Sequence, residues 1–267
     1  MVSLNYDYQD QDRNWHGTSE APAANNADKE IRTHFITADL QYMFDRNWGL
    51  QVDVPYWNRT FKTTGGASGN ENVTLDWWAL GDIRVKGIYT GFSPDLSTGL
   101  TFGFKLPTGD YTHNDAFGDI DRDTEVGSGS TDVLLGGFHR QNLTLDGKWT
   151  WFSQAELDLP VLTRDQYTPG TEIDAATGVY YNGISIRNVR IVPVAQVIGS
   201  ERTHDTGANS SHPVASGYQR ILLSPGIEFD MHPVRLYGDV EFPVFQNVRG
   251  DQLVAPFLVK VAVSYMF

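Results

Sequence analysis

The charged residues of this 267-residue chain recur at alternate positions of otherwise apolar stretches. One side of those stretches carries Asp39, Asp53, Asp82, Glu156, Asp158, Glu228, Asp239 and Glu241 against Arg84, Lys86, Lys105, Arg220, Arg235 and Lys260. Two kinds of chemistry suit such a set: mutual pairing that keeps a polar interior satisfied, or selection among ions passing along it. Eight acids against six bases make no single-sign funnel, so pairing between neighbouring strands is the expectation. Covalent chemistry finds little support. There is no Cys, which removes disulfides, thiolate metal ligands and Cys nucleophiles. A His activating a Ser two positions later on one strand is not found: His113, His139, His204 and His212 are followed by Asn114-Asp115, Arg140-Gln141, Asp205-Thr206 and Pro213-Val214. No pair among the seven His has metal-ligand spacing on a common face. Asp119, Asp121 and Asp123 alternate like the start of a calcium loop, but Thr124 stands where Gly is expected and Ser130 where a bidentate Glu is expected. A solvated acidic loop is the simpler expectation. No cofactor is called for.

The elements that position these charges are strands. Val2, Leu4, Tyr6 and Tyr8 alternate with Ser3, Asn5 and Asp7. Ile36, Ala38, Leu40, Tyr42 and Phe44 alternate with Thr37, Asp39 and Gln41, and Trp48, Leu50, Val52 and Val54 with Gly49, Gln51 and Asp53. The C-terminus repeats the pattern, with Phe257, Val259, Val261, Val263, Tyr265 and Phe267 on one face. This period of two predicts strands with one uniformly apolar face. About twelve are expected, most of ten or more residues, where ordinary strands average five or six. Short turns at Asp45-Arg46-Asn47, Ser93-Pro94-Asp95 and Met231-His232-Pro233 alternate with long loops at 9–30, 61–73, 108–129, 163–177 and 200–217. Facing is not fixed by the pattern near 130–141, 178–187 and 189–201.

Long strands, an even count and alternating loop lengths predict an all-β chain. It is expected to form one domain over 1–267, a transmembrane antiparallel β-barrel with short periplasmic turns and long extracellular loops. Backbone groups in lipid must all be satisfied, so the sheet has to close. The totals agree only when read this way. The mean hydropathy of −0.35 and the absence of a long apolar run exclude a helical span, yet apolar residues at every second position still make a lipid-facing wall. A formal net charge of −13 argues against a nucleic-acid partner. Outer-membrane lipid and lipopolysaccharide are the expected surroundings, with bridging through divalent cations a use for the acidic loop. No signal peptide precedes the first strand, so Met1-Val2 is expected to open a mature chain of the bacterial outer membrane.

Four strands contain a similar tetrad: Val52-Asp53-Val54-Pro55, Phe104-Lys105-Leu106-Pro107, Leu157-Asp158-Leu159-Pro160 and Val240-Glu241-Phe242-Pro243, with Arg190-Ile191-Val192-Pro193 a looser match. Proline has no N–H to give a ladder, and central strands avoid it. These prolines either end the strands at the outer rim or open gaps in the wall through which apolar solutes leave sideways. Trp57, Trp78, Ile88, Phe152, Leu222, Tyr237 and Phe245 are expected to face inward, as lumen packing or as a path for apolar solutes.

Lys105-Leu106-Pro107-Thr108-Gly109-Asp110, a polar loop, and then Gly127-Ser128-Gly129-Ser130-Thr131-Asp132-Val133-Leu134-Leu135-Gly136-Gly137 form a distinctive block. With the preceding Gly81-Asp82-Ile83-Arg84-Val85-Lys86, this block resembles a family of outer-membrane channels associated with the meta-pathway of phenol degradation. The resemblance covers roughly 80–140. It implies a monomeric channel that admits small, often hydrophobic or aromatic solutes, and not an enzyme. A small general or ion-conducting porin with a mixed-charge lumen is the alternative from the residues themselves. A lipid hydrolase and a closed structural barrel are further readings, and whether 9–30 plugs the lumen is left open.

Overall fold

A strand with one apolar and one polar face can bury neither face alone, and a row of such strands in lipid has to close on itself. The computed structural model describes residues 1–65, 71–114, 120–210 and 214–267. Asp119 of the candidate calcium loop lies outside the described residues. The strands are β1 (Val2–Gln11), β2 (Arg13–Gly17), β3 (Ser19–Glu20), β4 (Asp28–Met43), β5 (Trp48–Gly65), β6 (Glu71–Leu80), β7 (Arg84–Tyr89) and β8 (Thr98–Lys105). They continue with β9 (Thr131–Asn142), β10 (Trp149–Leu162), β11 (Glu172–Tyr181), β12 (Ile184–Ile186), β13 (Val189–Arg202), β14 (Tyr218–Met231), β15 (Val234–Val254) and β16 (Leu258–Tyr265). Every pairing is antiparallel between neighbours, and β1 closes on β16 with Val2 opposite Tyr265. β6 and β7 pair in succession with the same edge of β5 and make one stave, so twelve staves form a closed barrel. The small strands β2 and β3 extend the wall at the long-loop end, and β12 forms a short hairpin with β13 at the other. Both termini lie at the short-turn end.

The outward face is apolar. Leu4, Leu40, Tyr42, Leu50, Val54, Phe102, Phe104, Leu135, Val197, Leu223 and Val263 are all exposed there. Aromatic rings collect at the short-turn rim, where Trp48 meets Tyr89 at 4.6 Å and Trp149 meets Tyr181 at 4.9 Å. Tyr56 stacks on Trp78 at 5.5 Å toward the opposite rim. Trp48 and Tyr56 are eight residues apart on β5, about 26 Å of strand. At the usual ~40° tilt that spans about 20 Å, close to the height of an apolar barrel band. Interfacial aromatics at both edges therefore fix the depth of the barrel in lipid.

Several expectations change in detail. The loop over 61–73 is mostly strand, because β5 runs to Gly65 and β6 begins at Glu71. The 163–177 loop is shorter, since β11 begins at Glu172. Trp78 faces out, 51% exposed, and Trp77 is the indole inside. Phe245 also faces out, because the β14–β15 register shifts between Ile221 and Leu222 and places Phe245 opposite the exposed Ile221. Simple alternation fails there because a bulge adds one residue to one strand only. Pro193 is exposed on the outer face and Pro107 lies beyond the end of β8. Pro55 and Pro243 sit within their strands, and Pro160 is at a register shift between β10 and β9.

Candidate permeation path

The lumen begins as a wall of paired charges. Lys86 on β7 stands opposite Gly103 on β8, and Glu156 on β10 opposite Gly136 on β9. Glycines at those positions leave room for long side chains to lie along the wall and reach strands beyond their neighbours. Arg84 bonds Glu156 Oε1 at 3.0 Å and Asp158 Oδ2 at 3.3 Å. Lys86 meets Glu156 at 3.1 Å and Asp53 at 3.4 Å. Lys105 meets Asp158 at 3.1 Å and also pairs with Asp132. Three bases and four acids thus form one network over β5 to β10. Asp132 was invisible to the sequence pattern because the facing of its strand was not fixed.

The opposite wall is paired more sparsely. Lys260 meets Asp7 at 3.3 Å. One oxygen of Asp239 accepts Gln196 Nε2 at 3.1 Å, Ser224 Oγ at 2.8 Å and Tyr237 Oη at 2.7 Å. At the short-turn mouth Asp230 takes Arg190 at 2.5 Å and Arg235 at 3.7 Å. Glu228, Glu241 and Arg220 line the same space. Asp7 and Asp230 lay on the polar faces of their strands with nothing in type or spacing to single them out, and Arg190 and Gln196 lay on a strand whose facing the pattern did not fix.

The described part of the segment between β8 and β9 packs inside the barrel. Beyond Lys105 the chain turns inward, and Asp82 fixes it from a three-residue break between β6 and β7. Asp82 Oδ1 accepts Gly109 N at 2.9 Å, and Oδ2 accepts Ser128 N at 2.7 Å and Ser128 Oγ at 2.6 Å. Gly109 and Gly127 meet backbone to backbone: a Cβ on Gly127 would stand 2.5 Å from the Gly109 carbonyl carbon. Nearer the long-loop mouth, Arg59 Nη1 donates to Thr124 O at 2.5 Å and Glu125 O at 2.9 Å. Ile120 and Val126 pack with Phe61, Trp77 and Ala79 in an apolar cluster inside the barrel mouth. Each large side chain buried there contributes about 1.5–3 kcal/mol. The block of residues that carries the family resemblance is thus the plug and its anchor. Burial, then the neighbouring Asp110, pushes the Glu125 carboxyl up to about 8, against Arg122 and Arg59. Among the described residues no three His, Asp or Glu come together as a metal set. The 12–27 segment lies over the mouth instead, with Asn14 bonded to Pro22 O at 2.9 Å and to Asp251 at 3.2 Å.

Two chambers remain on either side of the barrel's waist. An inner one of about 1190 Å³ opens toward the short turns and carries most of the unpaired charge. An outer one of about 870 Å³ lies between the plug and the β14–β16 wall. Arg220, Leu222 and Leu258 line both. A smaller space of about 530 Å³, bounded by Asp39, Asp53, Pro55, Trp57 and Asp82, sits beneath the anchor.

No family model and no curated protein matches the sequence. Solved structures do. An outer-membrane channel from Pseudomonas putida F1 superposes with a TM-score of 0.68 at 12% identity, over 100% of this chain and 94% of that one. The β domain of the Bordetella autotransporter BrkA gives 0.58 at 12%, covering 100% and 98%. The NanC porin gives 0.50 at 11% over the whole of both chains. The fold is that of outer-membrane barrels. Identities this low show the fold alone, and what passes through this barrel has to be argued from its own lumen.

Proposed function

We propose that this chain is a bacterial outer-membrane channel for passive uptake of small apolar or aromatic solutes, which leave sideways into the membrane. One observation carries the reading: a seam in the wall beside the outer chamber. On one edge of β15 the ladder to β16 ends at Glu241 opposite Leu258. Pairing with β2 begins only at Val248. Between them, among the described residues, that edge of Phe242–Asn247 pairs with no strand. The other edge is loosened too, since the pairing with β14 skips Val240 and Glu241. Pro243 lies in this stretch, and Ala255-Pro256-Phe257 interrupts the chain before β16. Two prolines without N–H groups keep the ladder from closing.

The seam opens from the right place. Pro243, Val248, Leu253, Val254, Ala255 and Leu258 all line the outer chamber, so an apolar solute held there touches the gap directly. A water-filled route straight through favours hydrophilic solutes, and here it is narrowed by the plug and by the salt-bridged wall. The test replaces Pro243 with Val, which restores an N–H to the strand. Uptake of an apolar aromatic into proteoliposomes, toluene for example, should fall while small-ion conductance stays the same. Unchanged uptake removes the lateral exit. Ion conductance with no toluene uptake above protein-free vesicles makes the chain a general pore.

A further inference from the structure

Most of the cations that line the lumen are occupied, and of the others Arg140 and Arg249 are exposed toward its two ends. Arg84, Lys86, Lys105, Arg190, Arg235 and Lys260 each hold a carboxylate. Arg220 does not. Among the described residues its guanidinium makes no ion pair and no hydrogen bond, and its buried Nε has no partner. It stacks over the Tyr218 ring at 5.0 Å, which holds the group flat and leaves its N–H edge free. The acids around it are Glu172, Asp174 and Glu241. Two of them are committed elsewhere: Glu172 accepts Tyr218 Oη at 2.5 Å and Asp174 accepts Ser200 Oγ at 2.5 Å. A partly desolvated arginine without a partner is costly to maintain, and it is the group best shaped to take a carboxylate by two parallel hydrogen bonds.

Its position makes it a binding element. Arg220 stands at the waist shared by the two chambers, at the bottom of the outer one. The described lining of that outer chamber has four arginines and three aspartates. Near Arg220 are apolar groups: Leu222 next along the inner face of β14, Pro243 paired with Leu222, and Leu258 two strands along the same wall. A charged fork at the floor and an apolar wall above it describe a ligand with one anionic head and one apolar body.

We infer that the outer chamber is a binding site for an apolar monocarboxylate, whose carboxylate is held by Arg220 and whose body lies against Leu222, Pro243 and Leu258. The inference rests on the uptake reading and narrows it, because it makes the preferred cargo an acid with an aromatic or aliphatic tail instead of a neutral hydrocarbon. The test is equilibrium binding by calorimetry to detergent-solubilised, heat-modifiable (folded) barrel. It compares 4-phenylbutyrate with 4-phenylbutan-1-ol, which share a body and differ in the head. Wild type should bind the carboxylate about tenfold or more tightly than the alcohol, as one charge-assisted hydrogen-bonded pair contributes. Arg220→Met should abolish that preference and leave alcohol affinity within about twofold, since the apolar wall remains. Arg220→Lys, which keeps the charge but loses the fork, should retain part of it. Equal affinity of wild type for the two ligands overturns the inference, and so does a preference that survives in Arg220→Met. If the Met variant fails to fold, the same comparison in Arg220→Gln decides. Binding needs no permeation, so the outcomes separate. A barrel that binds the acid but passes no apolar solute refutes the uptake reading alone, and one that passes toluene without preferring the acid refutes this site alone.

Discussion

Removing the Asp82 carboxylate should unseat the plug. Its two oxygens hold three donors, from Gly109 N and from the N and Oγ of Ser128, at 2.6 to 2.9 Å, and the residue is only 8% exposed. Hydrogen bonds to a charged group contribute about 1.5–3 kcal/mol each. Water rescues part of that in the opened state, so Asp82→Ala should weaken seating of the loop by about 3–5 kcal/mol in all. At 1.4 kcal/mol per factor of ten, the closed-to-open ratio falls by about 100- to 4,000-fold. Arg59 and the apolar cluster around Trp77 still hold the part of the loop nearer the mouth, so the barrel itself should remain folded. The assay is single-channel recording in planar bilayers. Wild type should show a small, steady conductance, and Asp82→Ala a larger one with frequent transitions. Asp82→Asn is the sharper comparison: its amide oxygen satisfies one N–H while its NH₂ faces the other donor. It should fall between wild type and Asp82→Ala. A folded Asp82→Ala barrel whose conductance and noise match wild type would falsify the account of the plug.

Two further outcomes follow from the same geometry. Arg84→Gln leaves Glu156 and Asp158 to share Lys86 and Lys105. Because Arg84 is 37% exposed to the lumen, the loss of stability should be about 1–2 kcal/mol, below that of a fully buried pair, and reversal potentials in a KCl gradient should shift toward cation selectivity. Glu125 makes plug seating depend on pH. Its carboxyl is raised from an ordinary 4.5 to about 8 when the loop is docked, among Arg59, Arg122, Asp110 and His113. The docked state therefore binds the extra proton between those values, and its advantage is full below about 4.5 and lost as pH climbs to 8. Open probability should rise between pH 5 and 9, and Glu125→Gln should flatten that rise.

The architecture was written in the strands. Period-two stretches such as Trp48–Val54 and Phe257–Phe267 carry facing and length together, because each residue's side is set by local pleat geometry alone. The charged positions on β5, β7, β8 and β10 were legible for the same reason. Their pairing was not: Arg84 reaches Glu156 across two intervening strands, over glycines whose role appears only once four strands lie side by side. Bulges defeat the local rule outright, and one of them turned Phe245 outward. The prolines were visible as residues, but whether a proline opens a wall depends on its neighbours. Pro193 is simply a lipid-facing position, whereas Pro243 falls where the partner strand has left. The Gly81–Asp82 and Gly127–Ser128 blocks stood out as motifs without a mechanism, since a carboxylate and the amides it binds lie 46 residues apart in sequence. The sequence alone determined a closed membrane barrel with a polar inside, because alternation and closure are consequences of local geometry and lipid. Which loop packs into that inside, where the wall gapes and which half-buried arginine stands unpaired were decided by tertiary structure. Those properties depend on which strands face one another across the lumen, and no spacing along one chain encodes that.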